Sequence, residues 1–123
     1  MSRSPRHDVV VVRGDGGRIV CERCEVADTV LGRARGLLGR SELASGAGLL
    51  IKPSFSIHTF FMRFPIDVIF VDRAGSVVKI VPAMKPWRTA LGGSGAHSVL
   101  ELNAGEATAG SLEVGDVLRL PWR

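Results

Sequence analysis

Tyrosine is absent from this 123-residue chain, cysteine occurs twice and lysine three times. Without tyrosine, stacking on bases would rest on five Phe and two Trp. No consecutive run of basic residues appears either, and nucleic-acid binding wants clustered charge with aromatics between. These two shortages argue against a nucleic-acid partner. Two cysteines are too few for a disulfide framework. No apolar run approaches the roughly 20 residues of a membrane-spanning helix. Val9 to Val12 is a run of only four, so no signal-peptide core follows the polar start. The expectation is a cytoplasmic protein with reduced thiols. Two phosphate and nucleophile motifs are also missing. Gly92-Gly93-Ser94-Gly95 lacks the strand and helix that a phosphate loop requires. Gly93-Ser94-Gly95 does not make a nucleophile elbow.

What is present is apolar content and turn residues. Hydrophobic residues make up 46% of the chain, with 15 Gly and 6 Pro. That composition excludes disorder and favours many short strands over long helices. The net charge is +4, and thirteen of the sixteen basic residues are Arg. Arginine favours bidentate pairing with carboxylates or phosphates. The length fits one domain. Residues 1–7 read as a flexible end, and residues 8–123 as a single β-rich domain.

The pattern predicts strands over residues 8–13 and 18–26, joined by a Gly-rich turn at 14–17. The period then changes. Asp28 or Thr29 caps a predicted helix to Gly39, with Val30, Leu31, Ala34, Leu37 and Leu38 on one stripe. Short strands follow at 48–52, 66–72, 76–81, 98–102 and 116–120. Residues 53–59 read as a loop or edge segment, and 82–97 as one long connection. Long ordered loops of this kind often carry function. A turn or helical piece runs to Gly110. The sum is a compact antiparallel β-sandwich or barrel of about seven strands with one helix packed on it.

Several segments carry a family resemblance. They are Arg35-Gly36-Leu37-Leu38-Gly39-Arg40, Gly48-Leu49-Leu50-Ile51, Phe61 to Asp72 (FMRFPIDVIFVD), Val99-Leu100-Glu101-Leu102-Asn103-Ala104-Gly105 and Gly115-Asp116. In this order, over residues 25–120, the chain resembles the prokaryotic domain of unknown function 192 family. The resemblance implies a compact β structure with little helix and no established enzymatic activity. Phe61-Met62-Arg63-Phe64 stands where the family often has Trp-Met-Lys-Asn, so a polar Asn is lost. Leu38 replaces a usual Met, which should pack similarly.

The polar residues suggest one site. Arg63, Asp67 and Glu101 lie in or beside apolar runs, where charge is costly unless paired. Asp67 and Glu101 either face water by strand alternation, form ion pairs with Arg63, Arg88 or Arg40, or serve a ligand. His58 precedes an apolar cluster. It is either a packing residue or a general base oriented by Asp67 or Glu101. Lys85, Trp87 and Arg88 share the longest loop, where Trp87 plugs a core edge or forms the lip of a pocket.

Cys21-Glu22-Arg23-Cys24 has the spacing of a zinc or redox pair. On a strand, residues three apart should point to opposite faces. His58 and His97 would have to complete a metal site, and no second such pair exists. Two ordinary thiols are therefore expected, with no cofactor and no metal.

The reading that results is a binding or accessory domain without enzymatic activity. Its candidate ligand residues are His58, Arg63, Asp67, Lys85, Trp87, Arg88 and Glu101, and its partner is a small anionic molecule or a protein segment. The alternatives are a hydrolase or isomerase using a His/carboxylate pair, and a metal-binding protein using Cys21 and Cys24 with His. Oligomeric state is not legible in the sequence.

Overall fold

The structure, a computed structural model, describes residues 9–14, 17–28 and 42–120. The flexible end expected at 1–7, most of the predicted helix and the centre of the first turn lie outside the described residues. The strands in chain order are β1 (Val9–Arg13), β2 (Ile19–Ala27), β3 (Ala47–Ile51), β4 (Ser56–His58), β5 (Ile66–Val71), β6 (Val77–Met84), β7 (Thr89–Leu91), β8 (Ser98–Asn103) and β9 (Leu118–Arg119). One short helix, α1 (Glu106–Ala109), lies between β8 and β9. The fold is mainly β.

Seven strands form one sheet in the order β6-β5-β8-β3-β2-β1-β9. Every neighbouring pair is antiparallel except β2 with β3, which run parallel. A parallel pair needs a crossover of a dozen residues or more, and the chain between Ala27 and Ala47 has that length. The sheet curls until its two outer strands touch at one end. There Ser76 bridges Val117, Val77 N–H donates to the Asp116 carbonyl at 2.8 Å, and Leu118 N–H donates to the Gly75 carbonyl at 2.7 Å. Gly75 has φ +91°, and a Cβ there would sit 2.5 Å from the Leu118 carbonyl oxygen. Only glycine fits that approach. The contact is local, and the sheet is not a closed barrel. Its form is sandwich-like.

The central strands are buried on both faces, which explains their near-continuous apolar sequence. On β5, Ile69 and Val71 join one cluster with Leu50, Leu100, Leu102, Ala107 and Leu118. Ile66, Val68 and Phe70 join a second with Leu49, Ile51, Met62, Met84 and Val99. The second cluster is covered in part by a two-stranded ribbon, β4 with β7, whose Ile57 and Ala90 pack onto it.

The segments expected to be a loop or edge segment at 53–59 and one long connection at 82–97 therefore contain this ribbon, and β6 extends through Pro82 to Met84. Proline is tolerated there because β6 is an outer strand bulged against β5. Between the pairs Ile66–Met84 and Val68–Val81, β6 carries one extra residue. Ala83 in the bulge has φ +46°.

Candidate functional site

The ribbon pairs Ser56 with Leu91, Ile57 with Ala90, and His58 with Thr89. Alternation turns Ile57 and Ala90 inward and leaves Ser56, His58, Thr89 and Leu91 exposed. Beyond His58 and Thr89 two turns meet, and the fully buried Thr59 ties them together. Its N–H donates to the Arg88 carbonyl at 2.9 Å, and its own carbonyl accepts from Trp87 N–H at 2.9 Å and Met62 N–H at 3.2 Å. Its hydroxyl donates to the Lys85 carbonyl at 2.6 Å and accepts from Arg88 N–H at 2.9 Å.

These bonds hold two aromatic residues in the left-handed region, Phe61 at φ +66° and Trp87 at φ +67°. Each such residue costs about 1–3 kcal/mol, and such strain persists only where its surroundings over-determine it. The result is a chain of rings facing solvent. His58 meets Phe60 at a centroid distance of 5.0 Å, Phe60 meets Trp87 at 5.9 Å, and Phe61 meets Trp87 at 4.6 Å. Phe61 is 70% exposed and Trp87 55%. Arg63, Lys85 and Arg88 stand exposed on the same two turns. Among the described residues no carboxylate forms a salt bridge with any of the three.

The structure separates the seven sequence candidates into two groups. His58, Arg63, Lys85, Trp87 and Arg88 belong to the two joined turns. Asp67 and Glu101 are buried in the sheet. Asp67 does not face water, and among the described residues no arginine pairs with it. Its Oδ1 accepts from Ala83 N–H at 2.8 Å, and its Oδ2 accepts from Gly105 N–H at 3.0 Å and Ala107 N–H at 2.9 Å. The carboxylate thus clasps the β6 bulge to the start of α1. Glu101 lies between Leu49 of β3 and Val68 of β5, 2% exposed. No hydrogen bond joins His58 to either carboxylate among the described residues, so the arrangement that motivated a His/carboxylate enzyme is not formed there. Thr59, Phe60 and Phe61 were not among the site candidates, although the Phe60-Phe61 doublet beside His58 was a visible signal.

At the other end of β4 lies an open cleft of about 430 Å³, lined by Pro53, Ser54, Phe55, Ser56, Arg73 and His97. His97 Nδ1 is buried without a hydrogen-bond partner. Burial holds the His97 pKa below its ordinary value, and the positive charges of Arg73 and Lys52 push it the same way.

Cys21 and Cys24 correct the expectation of opposite faces. Both are buried in the first cluster. The cause is a bulge between them: Val9 pairs with Cys24 and Val11 with Cys21, so three steps of β2 oppose two of β1. Beyond the bulge alternation is regular, and Ala27 packs in the second cluster. No group of three or more His, Cys, Asp and Glu could hold a metal ion among the described residues. Among those residues, too, no helix is long and apolar enough to cross a membrane.

Residues 10–120 match the sequence profile of the domain of unknown function 192, described as an uncharacterized group. The chain belongs to the DUF192 family. Relatives of this DUF192 chain include a UPF0127 protein of Thermococcus sibiricus, 36% identical over 105 residues, covering 81% of this chain and 67% of the relative. A UPF0127 protein of Pyrococcus abyssi is 34% identical over 105 residues, covering 81% and 86%. The fold matches a crystal structure of a protein of unknown function from Novosphingobium aromaticivorans. That match has a TM-score of 0.80 at 26% identity and covers 94% of this chain and 85% of the other. A Sinorhizobium meliloti crystal structure also gives a TM-score of 0.80 at 23% identity, covering 94% and 93%, a likeness of fold alone. The DUF192 profile is described as uncharacterized and the Novosphingobium structure as a protein of unknown function, so this chain's function has to be argued from its own surface.

Proposed function

We propose that this domain is a non-enzymatic binding module whose ribbon end docks an acidic segment of a partner protein. The observation that carries this is the strained backbone at Phe61 and Trp87, which keeps flat apolar rings in water beside three cations. Folding alone would favour burying those rings. Trp and Arg are also the residue types enriched at the energetic centres of protein interfaces.

Charge supports an acidic occupant. Between Leu43 and Leu100 stand six basic residues and only two acidic ones, Asp67 and Asp72. Asp67 is fully buried, and Asp72 accepts from Ala74 and Ser76 N–H in a turn. The exposed shape favours a protein segment over a small molecule, because small-ligand sites are concave and enclose most of the ligand. Pairing of the first and last described strands, β1 with β9, supports one folding unit over residues 8–123. Two free thiols fit a reducing, cytoplasmic setting.

The test uses a fluorescein-labelled synthetic peptide of alternating glutamate and phenylalanine, and its glutamine counterpart. The acidic peptide is expected to bind at least about tenfold tighter, and Trp87→Ala or Arg88→Ala to weaken it about tenfold, the loss of about 1.4 kcal/mol. Equal binding of the two peptides, or variants that bind like the wild type, would overturn the reading. So would 1-naphthyl phosphate binding tighter than the acidic peptide, which would assign the surface to a small ligand.

A further inference from the structure

Cys21 and Cys24 take no part in the proposed docking surface, yet three features of β2 bring them together. The bulge turns both side chains into the first core cluster. The Cys24 side chain lies near enough to Cys21 to lower the Cys21 pKa, while the Cys21 thiol donates to the Gly46 carbonyl at 3.7 Å. The sulfur of Cys21 also fills a notch that the sequence leaves open. A Cβ on Gly48 of β3 would stand 2.8 Å from Cys21 Sγ and 2.9 Å from the Glu101 carbonyl oxygen.

The backbone spacing is also suitable. Two residues of β1 rise about 6.8 Å, and the bulge gathers three steps of β2 against that span. A disulfide accepts Cα separations up to about 7 Å. A regular strand would have carried the two cysteines apart and onto opposite faces.

We infer that Cys21 and Cys24 are a redox-active pair that closes to an intramolecular disulfide by exchange with low-molecular-weight disulfides of the glutathione class. Cys21 is the attacking sulfur. The neighbouring Cys24 side chain holds its pKa below the ordinary thiol value, against the opposing effect of burial, and the thiolate is the reactive form. The Cys21 thiolate attacks one sulfur of R–S–S–R, a new S–S bond forms, and R–S⁻ leaves. Cys24 then loses its proton and attacks the Cys21 sulfur, expelling the second R–S⁻. Two electrons and two protons pass from the protein to the reagent, which ends as two R–SH.

Cys21 is 1% exposed and Cys24 is fully buried, so the reagent enters when the β1–β2 hairpin opens. On its far side β1 pairs with β9 through Val12–Arg119 and Arg13–Leu118, and the Arg13 guanidinium bonds to Asp116 and to the Ser111 carbonyl, so these contacts part when the hairpin opens.

The experiment treats the full chain with excess oxidised glutathione under native conditions. Acid stops the exchange, and the free thiols are alkylated with N-ethylmaleimide in denaturant. The expected product is about 2 Da lighter than the reduced chain and takes up no alkylating agent, as two-electron closure requires. Cys24→Ser is expected to stop at one mixed disulfide, and Cys21→Ser to stay unmodified over the same time. Two alkylatable thiols, a stable double adduct, or a disulfide-linked dimer would overturn the inference. A mixed disulfide on Cys21→Ser forming as fast as on Cys24→Ser would overturn the assignment of the attacking sulfur. The wild-type mass decides closure even if neither variant folds.

Discussion

Replacing Asp67 should damage stability rather than binding. Its carboxylate accepts three backbone N–H groups, from Ala83, Gly105 and Ala107. Hydrogen bonds to a charged group contribute about 1.5–3 kcal/mol each, and they are not additive when they share one acceptor. The bond to Ala107 is buried, while those to Ala83 and Gly105 are partly buried and can recover some water. Asp67→Ala loses all three and leaves a void, so a cost of about 4–5 kcal/mol is expected, at the upper end for single substitutions.

Asp67→Asn keeps the volume and one oxygen. If that oxygen serves Gly105 and Ala107, the amide NH₂ confronts the Ala83 N–H, donor against donor. About 2–3 kcal/mol is expected for it. Urea unfolding followed by far-UV circular dichroism checks both values, with a midpoint that falls while the slope is unchanged. Two outcomes would refute the reasoning. One is Asp67→Ala within about 0.5 kcal/mol of wild type, the range of an ordinary surface change. The other is a normally stable Asp67→Ala protein that has lost peptide binding, which would make Asp67 a ligand residue.

Two further predictions concern joints elsewhere in the chain. Thr59→Val removes a hydroxyl that donates to Lys85 and accepts from Arg88, and should cost about 1–2 kcal/mol. It should also loosen the rings, read as weaker near-UV circular dichroism from Trp87 and reduced peptide affinity. The Asp116 carboxyl is held below the usual carboxylate range, first by the Glu113 N–H and then by Arg13. Its stabilising effect is therefore present above the unfolded pKa, about 3.9, and is lost as pH falls through the lower folded value. Unfolding midpoints measured between about pH 5 and 2 should show a loss that is smaller in Arg13→Ala.

The sequence made the centre of the sheet legible because burial on both faces leaves an apolar run with a clear end. Ile66 to Val71 and Ser98 to Asn103 are cases. The ribbon was hidden because its strands are three residues long and flanked by Pro53 and Pro86, which read as loop. The parallel pairing of β2 with β3 has no local signature, since it depends on a crossover. Asp67 was flagged as costly, but its partners are backbone amides, which any sequence supplies. The bulge that unites Cys21 and Cys24 reverses an inference that regular alternation made reasonable. At the ribbon end, His58, Arg63, Lys85, Trp87 and Arg88 were marked by residue type. Thr59 was not, because its role lies in joining two turns 26 to 29 residues apart.

The most direct measurement is an amide chemical-shift titration of ¹⁵N-labelled protein with the glutamate–phenylalanine peptide. The largest shifts are expected at residues 58–63 and 85–89, together with the Trp87 indole N–H. They should saturate on one curve and weaken with added salt. Saturating shifts centred on the Arg73–His97 cleft or on the β1–β2 hairpin, with the ribbon end unmoved, would contradict the account.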